Sequence, residues 1–206
     1  MAGLLQTRLL SSLEKVFADE QLQASASPSA TCLRGEVFSF QLAYCARSHL
    51  RDLTVAVESD LQRHIQVRAV SLVPSEFPGG RFDENVLRTT PGLYPDLLMP
   101  LEQRLPAPPG QWRSLWVTVR VAARSAAGGH EIKLVLTAAG AVVGEAVFVL
   151  EVLPVTLPAQ KLKHTSWFHT DCIATQYDVD VWSRQHWGLV EQFVRSAVDH
   201  GVNMLL

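Results

Sequence analysis

Two different periods run along this chain, and one gives way to the other near residue 158. Up to that point short runs alternate apolar and polar side chains every second residue, the pattern of half-buried strands. Phe38, Phe40, Leu42 and Tyr44 share one face of the run from Gly35 to Ala46, with Ser39, Gln41 and Ala43 opposite. Further runs carry Leu53, Val55 and Val57; Ile65, Val67 and Ala69; Leu115, Val117, Val119 and Val121; and Ile132, Leu134 and Leu136 after a Gly128-Gly129 turn. In the last, Val147 and Val149 face one way and Phe148, Leu150 and Val152 the other. With a seventh strand over Leu10 to Val16, the pattern predicts an antiparallel β-sandwich.

Two stretches interrupt the alternation. Gln21 to Ala30 is small, polar and broken by Pro28, and reads as a surface connection. Pro74 to Gly110 holds eight prolines, yet also Phe77, Phe82, Leu87, Leu93, Tyr94, Leu97, Leu98 and Met99. So much apolar surface predicts an ordered loop packed against a neighbouring domain rather than a disordered one.

After Pro158 the period lengthens. Lys163 to His169 reads as a strand, and Ser183 suits the N-cap of a helix bearing Trp187, Val190, Phe193, Val194, Ala197 and Val198 on one side. His200-Gly201 closes it, the glycine fitting a left-handed position, and Val202 to Leu206 opens another strand. Strand, helix, strand is a βαβ unit with parallel members. The expected domains are 1–158, the sandwich, and 159–206, the βαβ unit.

Composition narrows the function. Apolar residues make up 48% and charged ones 18%, with a mean hydropathy of +0.11, which describes a globular chain. No run approaches the ~18 apolar residues of a membrane span. Eighteen basic against twenty acidic residues leave a net charge of -2, which disfavours nucleic acid and anionic lipid as partners. Cys32, Cys45 and Cys172 form neither a disulfide framework nor a C-x-x-C pair, and fit a reducing compartment. Gln6, Thr7 and Arg8 break the N-terminal leucines before any leader-like core forms, so the chain is expected in the cytoplasm.

The densest chemistry lies in His164, Trp167, His169, Asp171 and Cys172. An extended backbone would point Trp167, His169 and Asp171 the same way. A tryptophan face with an imidazole and a carboxylate beside it suits a sugar: the indole for the apolar side of a pyranose, the polar groups for its hydroxyls. The competing reading is a buried tryptophan with a locally bonded histidine and a turn aspartate. Zinc at His169, Asp171 and Cys172 is disfavoured because neighbours on a strand point apart. Asp19-Glu20 and Asp83-Glu84 are sequential acid pairs that read as solvated connections, not as catalytic ones. Neither a nucleophile elbow nor a phosphate-binding glycine loop is present, and no cofactor or metal is expected.

Several strings are long enough to carry a resemblance: SLEKVF from Ser12, LRGE from Leu33 with SFQ from Ser39, RTTPGLYPDL from Arg88, QWRSLWVT from Gln111, and above all WFHTDC from Trp167. Through them the chain resembles glycoside hydrolase family 123 and the relatives grouped as domain of unknown function 4091. The resemblance implies a β-sandwich followed by a (β/α)8 catalytic barrel. It also implies retaining hydrolysis of β-linked N-acetylgalactosamine, with the substrate's acetamido oxygen as nucleophile. In such enzymes an adjacent Asp-Glu pair in the barrel orients the acetamido group and protonates the leaving oxygen.

Forty-eight residues follow Pro158, whereas a barrel takes ~200 or more. No Asp-Glu pair lies among them. The expectation is therefore the N-terminal portion of such a hydrolase, a sandwich plus the first strand-helix-strand unit of a truncated barrel, inactive alone. No residue is assigned a catalytic role, and Trp167, His169 and Asp171 are the expected substrate contacts. Carbohydrate is expected as a partner only once the rest of the barrel is present. Two alternatives stay open: a non-catalytic sandwich module binding carbohydrate or a protein through Pro74–Gly110, and a subunit completed by a separately encoded barrel.

Overall fold

The computed structural model describes residues 3–76, 86–101 and 104–206. Phe77, Phe82 and the Asp83-Glu84 pair thus lie outside the described residues. The chain divides into two compact units, Met1–Leu157 and Pro158–Leu206.

The first unit is a two-sheet sandwich. One sheet has five antiparallel strands in the order β1 (Leu5–Ser11), β3 (Val37–Ala46), β7 (Trp112–Arg120), β5 (Ile65–Ser75), β6 (Gly92–Pro100). The other has four, in the order β2 (Ser29–Arg34), β9 (Ala141–Thr156), β8 (Gly128–Ala138), β4 (Thr54–Glu58). Pairing is antiparallel throughout except for β2 against β9, which is parallel.

Alternation fixes the core. Phe40, Leu42, Leu115, Val117 and Val119 from the first sheet meet Ile132, Leu134, Leu136, Phe148, Leu150 and Val152 from the second, all essentially inaccessible. Val147 and Val149 face outward, as the two-residue period requires. Phe148 stacks on Phe40, with ring centroids 3.9 Å apart and planes within 7°. The β8–β9 hairpin turns at Ala139 and Gly140, both at positive φ (48° and 77°), as a tight turn between twisted strands requires.

Several elements differ from expectation. The first strand is Leu5–Ser11 rather than Leu10 to Val16. The following segment instead crosses the outer face of its own sheet, where Leu10, Val16, Ala43 and Trp112 form a second small core. Gln41 donates to the carbonyls of Ser11 and Glu14, and Arg8 to those of Leu22 and Ala24. The outer face of β3 is therefore buried too. Ser29 and Ala30 belong to a strand, β2. Within Pro74–Gly110 lies β6, an edge strand that accommodates Pro95 and Pro100 because only one of its sides needs backbone donors. Gly128 and Gly129 begin β8 rather than forming a hairpin turn.

The second unit is strand, two helices, strand. β10 (Thr165–Ser166) pairs in parallel with β11 (Met204–Leu205), and between them lie α1 (Thr170–Tyr177) and α2 (Arg184–Asp199). Asn203 stitches the ends together, accepting from the His164 amide at 2.8 Å and donating to the Leu162 carbonyl at 3.0 Å. Ser183 caps α2, its Oγ accepting from the His186 amide, and Gly201 ends it at φ 85°.

Candidate functional site

Trp167 follows β10 directly and is 80% exposed, so the competing reading of a buried tryptophan fails. Its ring lies 6.2 Å from that of His169, at 57° between planes. His169 occupies the N-cap position of α1 with an extended backbone, and its side chain makes no capping bond. These two exposed rings are brought together.

Asp171 is not on a strand. Thr170–Tyr177 is helical, so the alternation expected from Trp167 through Asp171 stops at His169. Asp171 sits in the first turn of α1, where a carboxylate is favoured by the helix dipole, and its backbone carbonyl accepts from Thr175 Oγ1. Its carboxylate is exposed and has no hydrogen-bond partner among the described residues. Cys172 is also exposed. Among the described residues no group of three His, Cys, Asp or Glu side chains converges as metal ligands would.

The side chain that organises this region is His186, which sequence reasoning passed over. It is wholly buried. Its Nε2 lies 2.7 Å from the Thr170 carbonyl at the start of α1, and its Nδ1 accepts from the Trp182 amide at 2.9 Å. A sequence signal existed: His186, Val190, Val194 and Ala197 fall on one helical stripe, a core position held by an imidazole. Trp187 and Val198, expected on that buried face, are 55% and 61% exposed instead.

Trp182 is the bulkiest residue of the unit with a left-handed backbone, at φ 64°. A bulky residue in the left-handed region costs of order 1–3 kcal/mol and persists only where its surroundings impose it. The hydrogen bond its backbone N–H donates to His186 Nδ1 is such a constraint. The Trp182 indole packs 5.4 Å from the imidazole and 5.3 Å from Trp187.

In the sandwich, Asp19 and Glu20 are both engaged by Arg88. The Arg88 guanidinium also covers Phe17 and Tyr94, which line a cavity of about 550 Å³. One face of each ring is thereby taken up by a cation.

Residues 167–206 match the family described as glycoside hydrolase 123, catalytic domain. That segment, and not the sandwich before it, carries the likeness in sequence to family 123. A family 123 glycoside hydrolase from Clostridium perfringens, studied for glycolipid glycan hydrolysis, has a similar structure: TM-score 0.76 at 12% identity, over 98% of this chain and 37% of that one. The chain thus spans little more than a third of that hydrolase. AvmM, reported to catalyse macrocyclization in alchivemycin A biosynthesis, aligns at TM-score 0.41 and 10% identity over 77% of this chain and 93% of its own, too little likeness to argue from. No curated protein matches the chain. The family 123 match begins at Trp167, so the exposed Trp167–His169 pair and the His186 anchor both lie inside it.

Proposed function

We propose that this chain is the N-terminal portion of a glycoside hydrolase acting on β-linked N-acetylgalactosamine, and that it does not turn over substrate by itself. On this reading 1–158 is the supporting sandwich and 159–206 opens the (β/α)8 catalytic barrel. The observation that carries it is the parallel β10–β11 pair enclosing two helices, within a chain that aligns over nearly its whole length to 37% of a family 123 hydrolase. Parallel strands joined through helices are the repeating element of such a barrel, whose active site opens at the C-terminal ends of its strands. Trp167 follows β10 at that end.

Trp167 supplies an apolar face for a pyranose, and His169 and Asp171 supply hydrogen bonds to its hydroxyls. Full recognition awaits the remaining strands and loops, so the sugar is a partner of the completed barrel. The acids of the reaction lie elsewhere: no adjacent Asp-Glu pair follows Pro158, and Arg88 already holds Asp19 and Glu20. A reducing, cytoplasmic setting accords with three free cysteines.

Incubation of the 206-residue chain with a chromogenic β-N-acetylgalactosaminide tests this. The expected result is no release above the buffer control. Turnover lost in a Trp167→Ala variant would place a complete active site in this chain and overturn the proposal.

A further inference from the structure

We infer that His186 is a positioning residue of the candidate site, one imidazole that sets the His169–Asp171 turn and Trp182 relative to each other. This rests on the reading of residues 167–171 as sugar-facing and adds the part that holds them in place.

The hydrogen-bond chemistry leaves one assignment. The Trp182 amide can only donate, so Nδ1 presents its lone pair; the Thr170 carbonyl can only accept, so the proton is on Nε2. Both nitrogens of the neutral ring are satisfied, and the ring is sealed from solvent. The backbone amide of His186 is fixed in turn by Ser183 Oγ at 3.1 Å.

The two bonds reach different parts of the unit. Thr170 is the first residue of α1, between His169 and Asp171. Trp182 lies in the α1–α2 connection, in a conformation that a tryptophan adopts only under constraint. That connection leaves α1 through a second left-handed residue, Asp178, at φ 51°, and Val179 closes it by donating to the Ala174 carbonyl at 3.0 Å. His186 therefore spans the connection rather than only filling space. The exposed Trp182 indole packs on the same ring that holds the Thr170 carbonyl, and the Trp187 indole packs in turn on Trp182.

Complementary replacements separate positioning from packing. A glutamine at 186 reaches the Nε2 position and can donate to Thr170; an asparagine reaches the Nδ1 position and can accept from Trp182. Amide ¹H–¹⁵N spectra of the 206-residue chain are compared for wild type, His186→Phe, His186→Gln and His186→Asn, and the wild-type ring is read by its nitrogen shifts. The expected result is the Nε2–H tautomer in wild type, and in His186→Phe a joint displacement of the 169–171 and Trp182 signals. His186→Gln returns only the first set to wild-type positions and His186→Asn only the second.

Displacements confined to α2, or Gln and Asn acting alike on both regions, would overturn the inference. If His186→Phe does not fold, the opposite responses of the two polar variants still decide. No sugar enters these measurements, so loss of this coupling and failure of the proposed activity are told apart.

Discussion

Arg88 grips Asp19 through two hydrogen bonds of 2.8 Å each, while its guanidinium lies 5.2 and 5.4 Å from the ring centroids of Phe17 and Tyr94. The contact joins residues 69 apart in sequence and pins the segment after β1 to the approach to β6. Glu20 adds a third bond at 3.3 Å.

A pH dependence follows. The Arg88 guanidinium hydrogen-bonded to Asp19 holds its carboxyl below the usual value of 3.8. A carboxyl lowered in the folded state contributes stability above its unfolded value, and that contribution is lost as pH falls through the folded one. Asp19 is largely solvent-exposed, so screening keeps the effect small. Asp19→Asn should lower the melting temperature at pH 7 by at most about 2–4 °C, and the difference from wild type should vanish at the acid end of a pH series.

The inter-sheet stack makes a larger demand. Phe148 is 1% exposed and packs against both Phe40 and Phe38, whose centroids are 3.9 and 5.8 Å away. Phe148→Ala leaves a cavity that two sheets cannot close by local movement. Denaturant unfolding should show a loss of about 3–5 kcal/mol. Val147→Ala, one residue away on the outward face, should change stability by about 0.5 kcal/mol or less.

The cysteines should react in an order set by burial. Desolvation pushes the Cys32 thiol up to about 11, and burial raises Cys45 as well, whereas Cys172 is exposed on α1. Alkylation of the folded chain at pH 8, read by peptide mass, should label Cys172 first. Cys32 should resist until denaturant is added, because the thiolate is the reacting form.

How much of this was legible in the sequence depended on whether apolar periodicity or proline and polarity dominated locally. β3, β7, β8 and β9 were legible because Phe40, Leu42, Val117, Leu134 and Leu150 alternate without interruption, and the same residues form the core. The α2 boundaries were legible from Ser183 and Gly201, whose cap chemistry is local. β6 was hidden by Pro95 and Pro100, since only its place at a sheet edge makes them tolerable, and edge position is a long-range fact. β2 was hidden by its small polar residues, which gain strand geometry only by pairing with β9.

The candidate site was legible in identity but not in geometry. Trp167 and His169 do lie together, yet α1 begins one residue later and takes Asp171 off the extended path. Eight residues with Ile173 and Ala174 as the only buried ones give too weak a helical pattern to find. His186 was missed because a polar residue on an apolar stripe declares itself only when the Thr170 carbonyl, from the helix before, is seen to meet it.

The central proposal is that residues 159–206 open a larger barrel, in which further elements would cover the apolar side of α2. Trp187, Phe193, Val198 and Leu206 are 41–70% exposed, while the sandwich seals its own core. Amide hydrogen exchange across the 206-residue chain tests this directly. The account predicts that α2 opens by local unfolding and exchanges orders of magnitude faster than β7 and β8, which exchange only on global unfolding. Equal protection of α2 and those strands would contradict it.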